Sequence, residues 1–201
     1  RSALFRSNSP RKPRESLEQA PIFTTGNATM TYTGIELRQD DEDTWLAVVH
    51  LAKDYPLGSE VRVSPYHLKK ELRYNRSSKD TKRLHKSLMR LRSGVVTIHS
   101  SQLRGGKTFN LIKEFSYEDD EGGQLREWRI QLQPELHAVY GQYYYSLLGW
   151  EQRHRLKPLG KWLQGYYASH KEPQPVSVTT IHSASGSEAK HMRSFRQTLK
   201  I

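Results

Sequence analysis

The feature that most constrains the fold is a short strand that leads directly into a helix start. Val61-Arg62-Val63 alternates apolar and polar residues, as a half-buried strand does. Ser64 then offers an N-cap oxygen, and Pro65 suits the first helical position because the missing N–H of proline is not needed there. Leu68 and Leu72 have the spacing of one face of the short helix that follows. This order is the opening of a helix-turn-helix unit.

A second helix follows a turn at Tyr74-Asn75-Arg76-Ser77 and is predicted over Lys79–Arg92, ending before Gly94. It places apolar and basic residues on different sides. The apolar stripe consists of Leu84, Leu88 and Leu91, and the basic stripe of Lys79, Arg83, Lys86 and Arg90. The apolar side is expected to pack on a core and to leave the basic side for a ligand.

Basic charge is concentrated in this part of the chain. The 201 residues carry a net charge of +11, and residues 62–107 hold thirteen Lys and Arg against Glu71 and Asp80, so this segment accounts for all of it. Such a concentration is typical of a surface that binds a polyanion. A solvated basic face without a partner is the plainer alternative.

Composition excludes several other classes of protein. Cysteine is absent, which excludes disulfides, thiolate zinc sites, iron–sulfur clusters and a cysteine nucleophile. No apolar run approaches the ~20 residues that span a bilayer, and no signal peptide is visible. The chain begins with Arg1, so we expect it to be a fragment of a longer protein.

Predicted strands and a further helix surround the helix-turn-helix. The acidic run Asp40-Asp41-Glu42-Asp43 precedes an amphipathic helix that contains Trp45, because acidic residues favour the positive end of a helix. Strands are predicted at residues 21–25, 29–33, 95–99, 107–115 and 127–132. The loop Arg104-Gly105-Gly106 joins two of them in a hairpin. Helix, strand, short helix, turn, basic helix and hairpin form, in this order, a winged helix-turn-helix.

The second half repeats this order in shorter form. Pro158 opens a helix, and Val176–Thr179 repeats the pattern of a strand running into a helix cap. A short helix, a turn at Ser185-Gly186-Ser187 and a last helix from about Glu188 follow, and the chain stops at Ile201 before any hairpin. We therefore predict an α+β fold with two tandem winged helix-turn-helix domains. The boundaries are a basic arm or linker at 1–20, a first domain at 21–141 and a second, C-terminally truncated domain at 142–201.

The candidate DNA-binding residues lie on the last helix of each half and near the hairpin loop. Arginine pairs bidentately with guanine and glutamine with adenine, whereas lysine more often binds phosphate. We expect the last helix of the second half to read bases, and the first-half helix and hairpin to bind phosphates. The candidates are Lys79, Lys82, Arg83, Lys86, Arg90, Arg104, Lys107, Ser187, Lys190, Arg193, Ser194, Gln197 and Lys200.

Catalytic alternatives are weaker. Gly106-Lys107-Thr108 resembles the end of a P-loop, but Ser101 stands where that motif needs glycine. The aspartates of residues 40–43 suit Mg²⁺ in a nuclease, although acids at a helix N-terminus are the commoner case. Tyr143-Tyr144-Tyr145 suggests a nicking nucleophile but lacks an accompanying histidine pair. We expect no catalytic residue, cofactor or metal.

Short motifs along the chain resemble the TrfA family of plasmid replication initiators. One is Thr31-Tyr32-Thr33-Gly34-Ile35-Glu36-Leu37-Arg38, followed by the acidic run and Trp45. The others are Arg1-Ser2-Ala3-Leu4-Phe5, Trp150-Glu151, Leu156, Tyr166, Ser169-His170-Lys171-Glu172-Pro173 and Gly186-Ser187. The resemblance covers almost the whole chain.

The resemblance implies a plasmid-encoded, cytoplasmic bacterial protein with tandem winged helices. Such initiators bind direct repeats (iterons) of double-stranded DNA, help to open an AT-rich segment, and recruit host replication proteins such as the replicative helicase and initiator. They bind iterons as monomers, and their dimers are associated with copy-number control. The family has a region upstream of the first winged helix that is absent here, and a terminal wing is expected after Ile201.

Other functions remain open at this point. A transcriptional regulator on the same fold would bind a palindrome as a two-fold dimer. A nicking or cutting nuclease would cleave origin DNA, and a shape-reading RNA binder would prefer duplex RNA or stem-loops.

Overall fold

The fold is given by a computed structural model that describes residues 2–24, 28–56, 58–100, 105–118, 121–134, 149–170, 172 and 174–199. Its helices are α1 (Gln39–Ala52), α2 (Pro65–Glu71), α3 (Ser78–Ser93), α4 (Trp150–Arg155), α5 (Pro158–Ala168), α6 (Val178–Ala184) and α7 (Met192–Leu199). Its strands are β1 (Phe5–Arg6), β2 (Ser16–Ile22), β3 (Thr29–Ile35), β4 (Leu37–Arg38), β5 (Glu60–Val63), β6 (Val95–Ser100), β7 (Gly105–Asn110), β8 (Ile112–Glu118) and β9 (Gln124–Leu132). The protein is a mixed α+β structure, as predicted.

The strands form three sheets around one large core. β5 pairs with β9 and β9 with β8, all antiparallel, so the strand order is β5-β9-β8. A second antiparallel sheet has the order β2-β3-β6-β7, and β1 pairs in parallel with β4. α3 contacts α1 and strands of both larger sheets. Its predicted apolar stripe is confirmed, because Leu84, Leu88 and Leu91 are fully buried.

The stretch predicted as one strand, Lys107–Phe115, is two strands that belong to different sheets. Leu111 lies between β7 and β8, and both it and the next residue, Ile112, are buried. Successive side chains of a regular strand point to opposite faces, so adjacent buried residues in a one-sided sheet require a bend. β7 therefore completes the predicted hairpin with β6, whereas β8 turns away to pair with β9.

The N-terminal segment is not the extended arm predicted for residues 1–20. Ala3, Leu4 and Phe5 are buried in the large core, and β2 already begins at Ser16. The prediction is wrong because the basic and proline-rich stretch in the middle of the segment hid the apolar residues at its start.

A second, smaller core joins α5, α6 and α7, with Trp162 and Phe195 almost completely buried in it. The helix predicted at Pro158 is confirmed. The strand predicted at Val176–Thr179 is wrong, since α6 already begins at Val178. Among the described residues this half holds no strand for that segment to pair with, so the segment leads straight into the helix.

The predicted boundary at residues 141 and 142 lies outside the described residues, as does Tyr143-Tyr144-Tyr145. α4, which comes after that boundary, packs Trp150 against the large core, and the indole Nε1 donates to the carbonyl oxygen of Glu71 at 3.2 Å. No helix in the described ranges is both long and apolar enough to cross a membrane.

Candidate nucleic-acid interface

Two helix pairs in the molecule begin alike. The first helix pair is α2 with α3, and the second helix pair is α6 with α7. Each opens with a seven-residue helix capped by serine. Ser64 Oγ accepts from the amide of His67 at 3.1 Å, and Ser177 Oγ accepts from the amide of Thr180 at 3.0 Å. Both caps satisfy an amide that a helix start would otherwise leave without an acceptor.

The short helices also end alike. The residue after the C-cap has a left-handed backbone in both, with φ of 55° at Arg73 and 60° at Gly186. This conformation ends the helix and redirects the chain. A side chain at position 186 would also place its Cβ 2.7 Å from Cγ of Arg6. The predicted repeat is thus confirmed for the two short helices and their ends, although not for the strand before the second pair.

The outer side of α3 carries exposed lysines. Lys79, Lys82 and Lys86 are exposed, and none of them pairs with another described residue. They recur every three or four residues and so lie along one side of the helix. Arg83 lies beside them, with its guanidinium 4.4 Å from the ring centre of Tyr74 and 44% of its side chain exposed. This side of α3 can contact several phosphates in succession.

Arg90, a candidate DNA-binding residue, belongs instead to the interior. Its guanidinium donates to Asp41 Oδ1 at 3.1 Å from Nε and at 2.7 Å from Nη2. Ser87 Oγ donates to the same oxygen at 2.7 Å. The prediction is wrong for Arg90, because helical periodicity does not reveal that this side of α3 faces the acidic start of α1.

His85 on α3 also faces inward. Its ring lies 4.3 Å from that of Tyr117 and 5.6 Å from that of Phe115. Burial lowers the pKa of His85, although the charge of Glu118 opposes the change. The imidazole is therefore neutral at physiological pH and adds no charge to the outer side of α3.

Two candidate DNA-binding residues, Arg104 and Lys107, were predicted at the hairpin after α3. Lys107 is exposed near the end of the β6–β7 hairpin, and Arg104 lies outside the described residues. The hairpin that pairs with β5, however, is β8–β9, whose connecting end carries Glu118 and Glu121. The strand that pairs with β5 thus belongs to the hairpin that follows the predicted one, and Lys107 lies in a different sheet from β5.

α7 presents a polar side opposite its buried residue. Phe195 is 1% exposed, whereas Arg193, Ser194 and Gln197 are exposed as predicted. Arg196 is exposed too and was missed by the sequence-based prediction. Its spacing of three residues from Arg193 was the available signal. Arginine and glutamine on one exposed helix side have the donors and acceptors that distinguish bases in a major groove.

The remaining candidates do not lie on the described part of α7. Ser187 and Lys190 precede it, since the helix begins two residues after Lys190. The prediction of a helix from about Glu188 is wrong, because the helix begins at Met192. The amide of Glu188 instead donates to Asn8 Oδ1 at 3.1 Å. Ser187 is half-buried and Lys190 is exposed, while Lys200 lies outside the described residues.

The aspartates considered as Mg²⁺ ligands are bound by cationic side chains. Arg14 donates to Asp40 at 2.9 Å and to Asp41 at 2.7 Å, and Arg153 donates to Asp43 at 2.7 Å. In the described ranges, no group of three His, Asp or Glu side chains is arranged to hold a metal ion. These acids occupy the first turn of α1, as expected, and form an ion-pair centre that the sequence did not reveal.

Similar folds occur in solved structures of RctB. A crystal structure of RctB domains 2 and 3 matches with a TM-score of 0.67 at 15% identity, covering 98% of this chain and 78% of that one. A selenomethionine derivative of the same domains gives 0.68 at 13% identity, with coverages of 95% and 77%. Identities this low show a shared fold.

Sequence comparison gives the family. The plasmid replication initiator protein TrfA of Escherichia coli is 27% identical over 199 residues, an alignment that covers 98% of this chain and 52% of that protein. The chain thus spans about half the length of this relative. A profile of the TrfA protein family matches residues 1–200, and the chain therefore belongs to the TrfA family.

Proposed function

We propose that this protein initiates plasmid replication by binding direct repeats of double-stranded DNA, the iterons, at a plasmid origin. Its family and its initiator relative support the initiator role. The single observation that carries the DNA-binding part is the exposed side of α7, where Arg193 and Gln197 lie opposite Phe195 and Arg196 is exposed beside them. A globular core explains the burial of Phe195 but gives no reason for that concentration of exposed arginine and glutamine side chains.

The topology supports a winged-helix form for the first unit. α1, β5, α2 and α3 follow one another, and β8 and β9 complete a sheet of order β5-β9-β8. A helix-turn-helix followed by a hairpin that pairs with the preceding strand has this arrangement. β6 and β7 are then an insertion between α3 and the wing. The second unit consists of α5, α6 and α7.

The two units divide the work of binding. Lys79, Lys82 and Lys86 neutralise phosphates, which gives affinity and register without sequence information. α7 enters a major groove and reads bases. Because the helix pairs of one chain are unequal, the bound site is asymmetric, which fits a direct repeat better than a palindrome.

The remaining steps of initiation follow from the same proposal. Binding to iterons brings the protein to an AT-rich segment that it helps to open, and host replication proteins such as the replicative helicase and initiator assemble there. Self-association into dimers limits copy number. The protein acts in the bacterial cytoplasm without cofactor, metal or catalysis.

Fluorescence anisotropy over a salt series tests this proposal. The probes are the iteron duplex of the protein's own plasmid, a scrambled duplex, an inverted repeat of the iteron and a duplex RNA. A preference of about 10³-fold for the iteron at physiological salt is expected. Equal and steeply salt-dependent binding to all duplexes would contradict it, and preference for the inverted repeat or for RNA would favour a regulator or an RNA binder.

Incubation with supercoiled origin DNA and Mg²⁺ tests the non-catalytic part of the proposal. The DNA is expected to stay covalently intact at protein concentrations that fully occupy the iterons. Nicks that appear with the wild-type protein would contradict the proposal and favour a nuclease.

A further inference from the structure

The two cores of the molecule are separate, and the polar contacts between the parts that hold them include two junctions, besides a bond from Trp162 Nε1 to the carbonyl oxygen of Ser2 at 3.4 Å. The large core includes Trp45 and Leu88, and the small core includes Trp162 and Phe195. One junction lies between the start of α1 and the helices α4 and α5. The other lies between the N-terminal segment and the turn that precedes α7.

The first junction is centred on Arg153, whose side chain is 0% exposed. Nε donates to Asp43 Oδ1 at 2.7 Å, and Nη2 donates to Gln39 Oε1 and Glu42 Oε2, both at 3.2 Å. Lys161 from α5 contacts the other oxygen of Asp43. We call this set the arginine clamp, and it fixes α4 and α5 on α1.

The second junction, the asparagine clamp, is centred on Asn8. Its Nδ2 donates to Glu36 Oε1 at 2.9 Å and to Glu188 Oε1 at 2.8 Å, and its Oδ1 accepts from the amide of Glu188 at 3.1 Å. The neighbouring amide of Ser7 donates to the carbonyl oxygen of Ser185 at 2.8 Å. A single side chain thus uses both its donor and its acceptor on Glu188, which follows the turn and lies four residues before α7 begins at Met192.

The segment that carries Asn8 is itself held in place. Arg38 is fully buried and donates to the carbonyl oxygens of Lys12 at 2.9 Å and Pro13 at 2.7 Å. It also donates to Glu36 Oε2 at 2.6 Å. Burial alone would raise the pKa of Glu36, but hydrogen bonds from Arg38 and Asn8 outweigh it and keep that pKa below its ordinary value. Glu36 therefore stays ionised and keeps Asn8 oriented.

We propose that Asn8 and Glu188 are positioning residues that fix α7 relative to α3, so that the protein measures the spacing between the two DNA segments its helix pairs contact. This inference rests on the proposed function. Each inserted base pair rotates B-DNA by about 35° and lengthens it by about 3.4 Å. A rigid protein then loses the contacts of one helix pair, whereas a flexibly tethered one retains both.

A spacer series on the iteron tests the inference. Footprinting of the wild-type protein first locates the two contacted segments, and duplexes with two base pairs inserted between them are then compared with the native duplex. The wild type is expected to lose on the order of 10²-fold in affinity on insertion, because the second unit no longer reaches its site. Asn8→Ala is expected to lose at least about threefold less than the wild type on the same insertion, because it loosens the chain before α7 while the arginine clamp remains.

The matched control is Ser9→Ala, an exposed neighbour whose carbonyl contact with Arg38 is retained. Ser9→Ala is expected to keep the wild-type ratio between the native and the lengthened duplex. Glu188→Gln keeps an oxygen acceptor for Asn8 and is expected to keep that ratio as well. If Asn8→Ala weakens binding to every duplex equally and leaves the ratio unchanged, Asn8 is merely structural and the inference is overturned.

A distance measurement without DNA separates failure of this inference from failure of the proposed function. The chain has no cysteine, so spin labels can be attached at Lys113→Cys on β8 and Thr198→Cys on α7, both exposed positions. The label-to-label distance distribution is expected to be narrow in the otherwise wild-type chain and clearly broader with Asn8→Ala. Equal widths overturn the clamp even if iterons are bound specifically. A broadened distribution without specific DNA binding supports the clamp and contradicts the proposed function.

Discussion

The first helices of the two helix pairs begin and end alike. The second helices, α3 and α7, differ in how much of their polar surface is exposed and so accessible to a ligand. α3 is sixteen residues long and packs on α1 and on both larger sheets. α7 is eight residues long and buries chiefly Phe195. In α3, the longer helix, Arg90 forms an ion pair with the buried Asp41 and is not available to a ligand. The described polar side chains of α7 are all exposed. Counting basic residues along a helix therefore overstates what a ligand can reach.

The helix pairs also differ in what holds them. α3 belongs to a large apolar core, while the unit that contains α7 has a small core and meets the rest of the molecule through buried ion pairs and hydrogen bonds. Burial of apolar area stabilises the contact between two units but does not fix their relative orientation, because the hydrophobic effect is non-directional. A buried ion pair is stable only when its charged groups are well aligned, so it does fix that orientation. Polar contacts at the junctions thus suit a role in orientation.

The largest effect is expected for Arg153→Met. It leaves Asp43 and Glu42 buried without their principal cation, and removal of one partner from such a buried group costs about 3–5 kcal/mol. Urea unfolding followed by circular dichroism measures the loss. Arg155→Met, an exposed arginine on the same helix, is the matched control and should change the free energy of unfolding by less than about 0.5 kcal/mol. Equal effects of the two substitutions would refute the idea that the second unit depends on the arginine clamp.

Arg90→Met distinguishes interior from exposed charge on α3. The substitution removes two hydrogen bonds to the buried Asp41 and should lower the free energy of unfolding by about 2 kcal/mol, as hydrogen bonds to charged groups do. Urea unfolding measures this loss, and DNA titration of the folded variant should show an unchanged salt dependence. If the variant had the wild-type free energy of unfolding but a reduced salt dependence of DNA binding, Arg90 would be a DNA-binding residue after all.

Arg193→Ala tests base reading by the second helix pair. If the guanidinium pairs with a base, the substitution should cost ~1–3 kcal/mol on the iteron and almost nothing on a scrambled duplex. Arg155→Ala is the control for loss of one exposed positive charge in the same half. Equal losses on both duplexes would mean that α7 contacts phosphates only, and the division of labour between the helix pairs would be wrong.

The sequence predicted the helix pairs well because their signals are local. Serine caps, leucine spacing and helix-ending residues act within one or two turns of chain, and the structure confirms α2, α3 and α6 close to the expected positions. The division of residues 107–115 into two strands at Leu111 could not be predicted, because β7 and β8 pair with different strands in different sheets. The bond from the Glu188 amide to Asn8, ahead of α7, joins residues 180 apart in sequence. Contacts of that range leave no periodic trace in a single sequence.

The exposure of the candidate DNA-binding residues was likewise predicted correctly where the signal was local and missed where it depended on distant contacts. Exposure of Lys86, Arg193 and Gln197 followed from helix periodicity relative to the buried stripe. The interior role of Arg90 did not, because its partner lies on another helix. Arg153 was not singled out at all, since a lone arginine between polar neighbours gives no signal of burial.

The smallest effect is expected for Lys86→Ala. Lys86 is exposed on the outer side of α3 and has no described partner, so its loss should leave the free energy of unfolding unchanged within about 0.5 kcal/mol. If it contacts one phosphate, the slope of log affinity against log salt should fall by ~1 for iteron and scrambled duplexes alike. Lys53→Ala, an exposed lysine just after α1, controls for a general loss of positive charge and should leave the slope unchanged. A loss confined to the iteron would make α3 a base-reading helix, and the two helix pairs would then differ in length and burial but not in function.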